Sequence, residues 1–177
     1  KVRETEGCGP IQDFLAKTAR RHGIWLVGGS IPLAGNAADK VFNSCVAYDP
    51  QGARVARYDK IHLFGFQRGN ERYDESASIE AGTLLSSFDT PFGRVGLSIC
   101  YDIRFPELYR ALGVADLLVI PAAFTVTTGR AHWEILLRAR AIENQCYVLA
   151  VAQGGRHESG RETHGNSMLI DPWGDIL

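Results

Sequence analysis

Apolar residues at positions 11, 14, 15 and 19 recur with the spacing of one helix face. They lie between the Gly9 and Pro10 pair and Gly23, and predict a helix over residues 11–22 with a glycine stop. The next run, IWLVGGSIPL, is β-branched and aromatic and reads as a buried strand. After the loop LAGNAADK, VFNSCVAYD alternates as a strand, DPQG is a turn, and ARVARYDK returns as the second arm of a hairpin. Residues 65–82 show no period and read as a long irregular connection, a length usually kept for function. A second hairpin follows in SSFDT, PFG and RVGLSIC. A helix is predicted from about Phe105 to Gly113, with Pro106 tolerated in its first turn. DLLVIPAAF is a continuous apolar strand of the fully buried kind. A longer helix over 130–144 carries Trp133, Leu136, Leu137 and Ile142, and YVLAVAQ and SMLIDPWG supply two further strands. Hairpins mixed with strand–helix–strand units predict a layered α/β or α+β domain with helices covering a sheet.

Composition changes this picture little. At 177 residues, with 45% hydrophobic and 22% charged residues, the chain has the size and make-up of one globular domain. Its 19 Lys and Arg balance 20 Asp and Glu, so nothing points to nucleic acid or an anionic membrane as partner. The longest apolar run, VADLLVIPAAF, is broken by Asp116 and Pro121 and is too short to span a bilayer. Four scattered cysteines, without a C-x-x-C pair, give neither a disulfide framework nor a zinc ribbon and read as reduced thiols of a cytoplasmic protein. Five scattered histidines without an H-E-x-x-H pattern give no metal site, and no cofactor is indicated.

Candidate chemistry concentrates in GLSICYDIRFPE, residues 96–107. The apolar run of residues 95–99 ends at Cys100, and a helix is predicted a few residues later. Ligand crevices of α/β sheets lie at such strand ends. A helix N-terminus there favours a thiolate, and the N–H of Tyr101 is placed to face an oxyanion. A packed structural cysteine is the alternative at this point. Lys60, at the end of a hairpin strand in RYDKIHLF, would lower a nearby thiol pKa and hold an oxyanion; otherwise it is a solvated lysine. Glu75, in the long connection, would orient that lysine, or is a surface carboxylate. A Cys–His design is the rival. However, His62 falls on the same strand face as Lys60, His132 opens a helix, and His164 sits in a glycine-rich loop.

Six segments in register carry a resemblance that spans the chain: GSIP, YDKIHLF, YDESASIEAG, FDTPFGRVGLSICYDIRFPEL, IPAAFTVTTGRAHWEILLRARAIENQCYV and GNSMLIDPWG. Together they resemble the nitrilase superfamily of carbon–nitrogen hydrolases. The resemblance implies an αββα sandwich, with residues 1–177 as one domain that is incomplete at both ends. It implies hydrolysis of a nitrile or, more often, an amide through a Glu–Lys–Cys triad and a thioester, without a metal. Cys100 matches the nucleophile, Lys60 the catalytic lysine and Glu75 the supporting second glutamate. Tyr101 would share the oxyanion through its backbone, Ala123 and Phe124 would line the acyl pocket, and Arg104 would contact a substrate carboxylate.

The family's general-base glutamate precedes the helix at 11–22. Glu4 and Glu6 lack the motif around that base, so the 177 residues alone are expected to turn over slowly. HWEILLRARAIENQCYV and IHLF are similar to the Nit branch of ω-amidases and deaminated-glutathione amidases, and the 69–82 segment leans to the latter. The implied substrate is a small carboxylate-bearing amide. ω-Amidase or nitrilase specificity, a truncated and impaired enzyme, and a non-catalytic binding module are the alternatives. A homodimer is implied, through residues 130–144 and the helix after Cys100.

Overall fold

The first helix forms where the spacing predicts it. α1 (Pro10–His22) has Pro10 at its first position and stops at Gly23, whose left-handed backbone (φ 61°, ψ 37°) only glycine adopts cheaply. Its buried stripe, Leu15 and Ala19, packs with Ile31, Leu33, Val46 and Tyr48 of the adjoining sheet. The helix comes so near the sheet at Gly28 that a Cβ there would collide with the Leu15 side chain. The computed structural model describes residues 3–69 and 71–177. Lys1 and Val2, where the chain begins, and Asn70, in the connection at 65–82, lie outside them. The chain divides into two compact units, Lys1–Leu84 and Leu85–Leu177.

In the first unit, β1 (Leu26–Ala34), β2 (Val41–Tyr48) and β3 (Arg54–Asp59) form an antiparallel sheet in the order β1-β2-β3. The 65–82 segment is not the irregular connection its sequence suggests. β4 (Gly65–Arg68) and β5 (Glu71–Asp74) make a hairpin, a 3₁₀ turn covers Glu75–Ala77, and β6 (Ile79–Glu80) pairs parallel to β2. Aromatic rings organise the hairpin: Phe66 pairs with Tyr73, and Phe64 lies 6.0 Å from Phe66 and 5.8 Å from Tyr73, centre to centre. Cross-strand ring pairs stabilise a hairpin whose other positions are polar. Polar positions of that kind hide the period.

In the second unit, β7 (Ser87–Thr90), β8 (Gly93–Leu97), β9 (Leu117–Ala122) and β10 (Tyr147–Ala152) follow in the chain. Then come a small hairpin, β11 (Gly154–Arg156) with β12 (Glu162–His164), and β13 (Met168–Ile170). The main sheet has the order β13-β10-β9-β8-β7, with β8, β9 and β10 parallel at its centre. β9 is buried from Leu118 to Ala122, as its unbroken apolar run requires.

α2 (Pro106–Leu112) starts on its proline as predicted. α3 (Val126–Asn144) starts four residues before the predicted 130. The cap is Thr125, whose hydroxyl accepts the Thr128 N–H at 3.2 Å; a Thr-Val-Thr-Thr run has strand propensity and masks a helix start. His132 therefore lies inside α3 rather than opening it, and His164 ends β12 rather than sitting in a loop. Trp133 and Leu137 are fully buried, so on this helix they are core, while Ile135 and Ile142 face outward. The chain has the mixed α/β architecture its sequence predicts. Among the described residues, no helix is long and apolar enough to cross a membrane.

Candidate active site

Lys60 and Glu75 meet within the first unit. β3 ends at Asp59, and Lys60 is fixed immediately beyond it: its N–H donates to Asn43 O at 2.9 Å, and its carbonyl accepts the Gly82 N–H at 2.9 Å. A Cβ on Gly82 would strike the Asp59 carbonyl, so only glycine permits that close pairing. The Lys60 side chain is 1% exposed. Burying an ammonium is costly unless it is paired. Here its Nζ donates to Glu75 Oε2 at 2.5 Å, and the same oxygen accepts the Phe64 N–H at 2.8 Å. The Glu75 N–H donates in turn to Phe64 O at 3.0 Å, locking the start of the 3₁₀ turn to the chain before β4. Since β3 has ended, His62 does not share a strand face with Lys60, contrary to the alternation the sequence suggests.

Cys100 is reached differently from the sequence expectation. β8 stops at Leu97, after which the Ser98 N–H still reaches Val119 O at 3.2 Å. Ile99 is extended, and Cys100 opens a 3₁₀ turn, Cys100–Arg104. Its φ is +53°, a value that costs a non-glycine residue on the order of 1 kcal/mol. The chain thus makes a sharp elbow at the thiol.

Three contacts hold the elbow. Buried Asp102 accepts the Ile99 N–H at 2.9 Å on its carboxylate and returns its own N–H to Ile99 O at 3.1 Å. Ser98 Oγ and Tyr109 OH share a hydrogen bond of 3.0 Å. Arg140 of α3, buried and paired with Glu143, donates from Nε to Ile103 O at 2.9 Å and lies over the Tyr109 ring. Burial, which outweighs its bond to Ser98, pushes the Tyr109 hydroxyl far above its ordinary pKa, so it stays protonated. The remaining buried thiols are inert: burial pushes Cys45 up to about 12 and Cys146 up to about 11. Cys100, by contrast, is only partly buried.

Tyr101 and Arg104 lie on the same turn as Cys100. The Arg104 guanidinium stacks over the Tyr101 ring at 5.6 Å and over the Phe124 ring at 5.5 Å. Its NH2 reaches His132 Nδ1 at 3.2 Å. Phe124 is buried against Trp133, with ring centres 4.8 Å apart. Ala123 and Phe124 sit just beyond β9, where two backbone contacts brace them. Arg161 donates to Ala123 O at 2.6 Å, and the His164 N–H donates to Phe124 O at 2.9 Å. No group of three or more His, Cys, Asp or Glu side chains among the described residues is arranged to hold a metal.

The sequence does not single out Asp102, Arg140 or Arg161, and it offers His132 only as a partner in the rival Cys–His design. Arg140 was findable, because it falls on the buried helical stripe of Trp133, Leu137 and Ala141. Asp102, three residues after Ile99, has the spacing of a side chain that caps its own turn. His132 and Arg161 meet their partners only through the tertiary fold.

Glu4 and Glu6 are committed to structure. The buried Glu4 carboxylate accepts the Ile11 N–H at 2.5 Å, the Gln12 N–H at 3.2 Å and Gln12 Nε2 at 3.0 Å, capping α1. Glu6 pairs with Arg54 at 2.7 Å and Arg57 at 2.6 Å.

Comparison with known proteins identifies the family. The carbon–nitrogen hydrolase family model matches residues 2–177. A deaminated glutathione amidase of Yersinia enterocolitica is 48% identical over 98% of the chain and 63% of its own length. The human omega-amidase NIT2 is 43% identical, over 92% of the chain and 59% of its own length. The crystal structure of Saccharomyces cerevisiae Nit3, a nitrilase-superfamily member, superposes with a TM-score of 0.87 at 32% identity, over 99% of the chain and 63% of that protein. The chain thus spans about three fifths of the proteins it matches.

Proposed function

Because this chain belongs to the carbon–nitrogen hydrolase family of the nitrilase superfamily, we propose that the protein carrying it hydrolyses small carboxylate-bearing amides of the deaminated-glutathione kind. The observation that carries this reading is the Cys100 elbow: a partly buried thiol heads a 3₁₀ turn after a central parallel strand. The two fully packed cysteines are, in contrast, held as thiols.

In the proposed reaction the Cys100 thiolate attacks the amide carbon, forming the C–S bond, and the carbonyl electron pair moves to oxygen. The oxyanion is held by Lys60 and by the main-chain N–H of Tyr101. The tetrahedral adduct collapses and expels ammonia once its nitrogen has received the proton that the Cys100 thiol gave up in forming the thiolate. Water then attacks the thioester, releasing the carboxylic acid and the thiol. Glu75 orients Lys60 through their ion pair. Ala123 and Phe124 form the wall beside the acyl group, and Arg104 takes the substrate carboxylate. Glu4 and Glu6 do not supply the proton transfers, since one caps a helix and the other pairs with two arginines.

Both units act, on this reading, as parts of one hydrolase domain, as the unbroken family match over 2–177 supports. We place the protein in the cytoplasm, where its four cysteines, none of them in a disulfide, remain thiols. It is read as a homodimer through the outward face of α3, where Ile135 and Ile142 are exposed. The test is hydrolysis by the full-length protein of deaminated glutathione, α-ketoglutaramate and a simple nitrile. Release of ammonia from deaminated glutathione in preference to the other two supports the reading. Preference for α-ketoglutaramate moves it to ω-amidase, and nitrile turnover without amide turnover overturns it. An unreactive Cys100 with no turnover leaves the non-catalytic module.

A further inference from the structure

We propose that His132 is a positioning residue for substrate recognition: as a neutral acceptor it aims the Arg104 guanidinium at an incoming carboxylate without consuming its charge. The inference rests on the reading of Arg104 as the carboxylate contact. Four other arginines meet carboxylates, while Arg20 and Arg94 donate to a carbonyl and a hydroxyl oxygen. Arg54 and Arg57 pair with Glu6, Arg57 also with Asp59, Arg138 with Glu134, and Arg140 with Glu143. Arg104, half-buried, has no carboxylate partner among the described residues. The rings of Tyr101 and Phe124 lie 5.6 and 5.5 Å from its guanidinium carbon, and one N–H edge is engaged by His132 Nδ1 at 3.2 Å.

A guanidinium can only donate, so Nδ1 accepts and the neutral imidazole carries its proton on Nε2. The two rings and this bond together restrain the guanidinium from three sides of the site. The remaining N–H groups keep the full positive charge and the fork geometry that suits a carboxylate. An aspartate or glutamate in place of His132 would orient the arginine equally well but would neutralise it. The support is rigid: the neighbouring Trp133 is buried, packs on Phe124 and donates from Nε1 to Asn166 O at 2.8 Å. The register of α3 at His132 is therefore set by the same ring that covers Arg104.

The experiment measures KM and kcat of the full-length protein on a carboxylate-bearing amide and on its uncharged analogue. It compares wild type with His132→Leu, His132→Asn, His132→Asp and Arg104→Gln. His132→Leu is expected to raise KM for the charged amide about tenfold, the scale of a charge-assisted hydrogen bond, leaving kcat and the uncharged analogue unchanged. Asparagine, which keeps a neutral acceptor near Nδ1, restores the wild-type KM. Aspartate abolishes the preference for the charged amide. Circular dichroism and thermal unfolding serve as the control for folding in every variant, and the uncharged analogue isolates the part of KM that depends on charge. The proposal is overturned if Arg104→Gln removes the charge preference while His132→Leu leaves it intact. If Arg104→Gln also leaves it intact, the carboxylate role of Arg104 falls and the proposal falls with it.

Discussion

Lys60 in the first unit and Arg104 in the second are both sheltered cations, and the fold satisfies them in opposite ways. Lys60 is 1% exposed and meets a carboxylate of its own chain at 2.5 Å. Arg104 meets two aromatic faces and an imidazole. A lysine ammonium is a compact, strongly hydrated charge and cannot be buried without an anion. A guanidinium is broad and weakly hydrated, so π faces suffice and its charge stays available. The proposed roles follow from this difference. A lysine already paired by Glu75 is a fixed element of the reaction centre, whereas an arginine without an internal anion is a receptor for one.

The largest effect expected from breaking this contrast is Lys60→Met. It should lower kcat roughly a hundredfold, as loss of one oxyanion donor does, and destabilise the full-length protein by about 3 kcal/mol, because breaking a buried pair strands its partner. The 26% exposure of Glu75 and its bond from the Phe64 N–H keep that cost from being larger. Steady-state kinetics and urea unfolding read both numbers. Arg104→Gln should divide the two readouts the other way, with stability within about 1 kcal/mol of wild type and the loss appearing in KM for charged amides.

A smaller effect calibrates the comparison. Glu4 is a buried carboxylate of the first unit whose work is structural. Desolvation pushes its carboxyl up, but the hydrogen bonds from the Ile11 N–H, the Gln12 side chain and the Gln12 N–H outweigh that and leave it below its ordinary pKa. A carboxylate depressed in the folded state adds stability above its unfolded pKa, and that stability is lost as pH falls through the folded value. Glu4→Gln should therefore cost about 1 kcal/mol at pH 7, the usual worth of a helix cap. The gap to wild type should begin to shrink as pH falls below the ordinary glutamate value of about 4.3. It should close as pH falls through the lower folded value, with substrate preference unchanged throughout.

The parts of this molecule that could be read in advance are those with a local period. α1, the β2–β3 and β7–β8 hairpins, β9 and α2 follow from spacing, turn residues and a proline or glycine at the right end. The β4–β5 hairpin does not, because ring pairing across strands carries it, nor does β11–β12, whose positions are glycine and polar residues without alternation. Lys60 and Glu75, 15 residues apart, were paired by residue type and by resemblance, and the fold brings them together. The contact between Arg104 and His132, 28 residues apart, leaves no trace in either segment. Nor does the strand end at Leu97 show, since Ser98 is a single polar break before Ile99 in a mostly apolar run that leads on to Cys100.

The central claim is that Cys100 becomes acylated. The direct measurement is rapid acid quenching of the full-length protein during turnover of a carboxylate-bearing amide, followed by peptide mass mapping. A transient adduct with the mass of the substrate less ammonia, on the peptide containing Cys100 and absent from Cys100→Ala, is the predicted result. Hydrolysis at the wild-type rate by Cys100→Ala, with no adduct on either protein, would contradict the account.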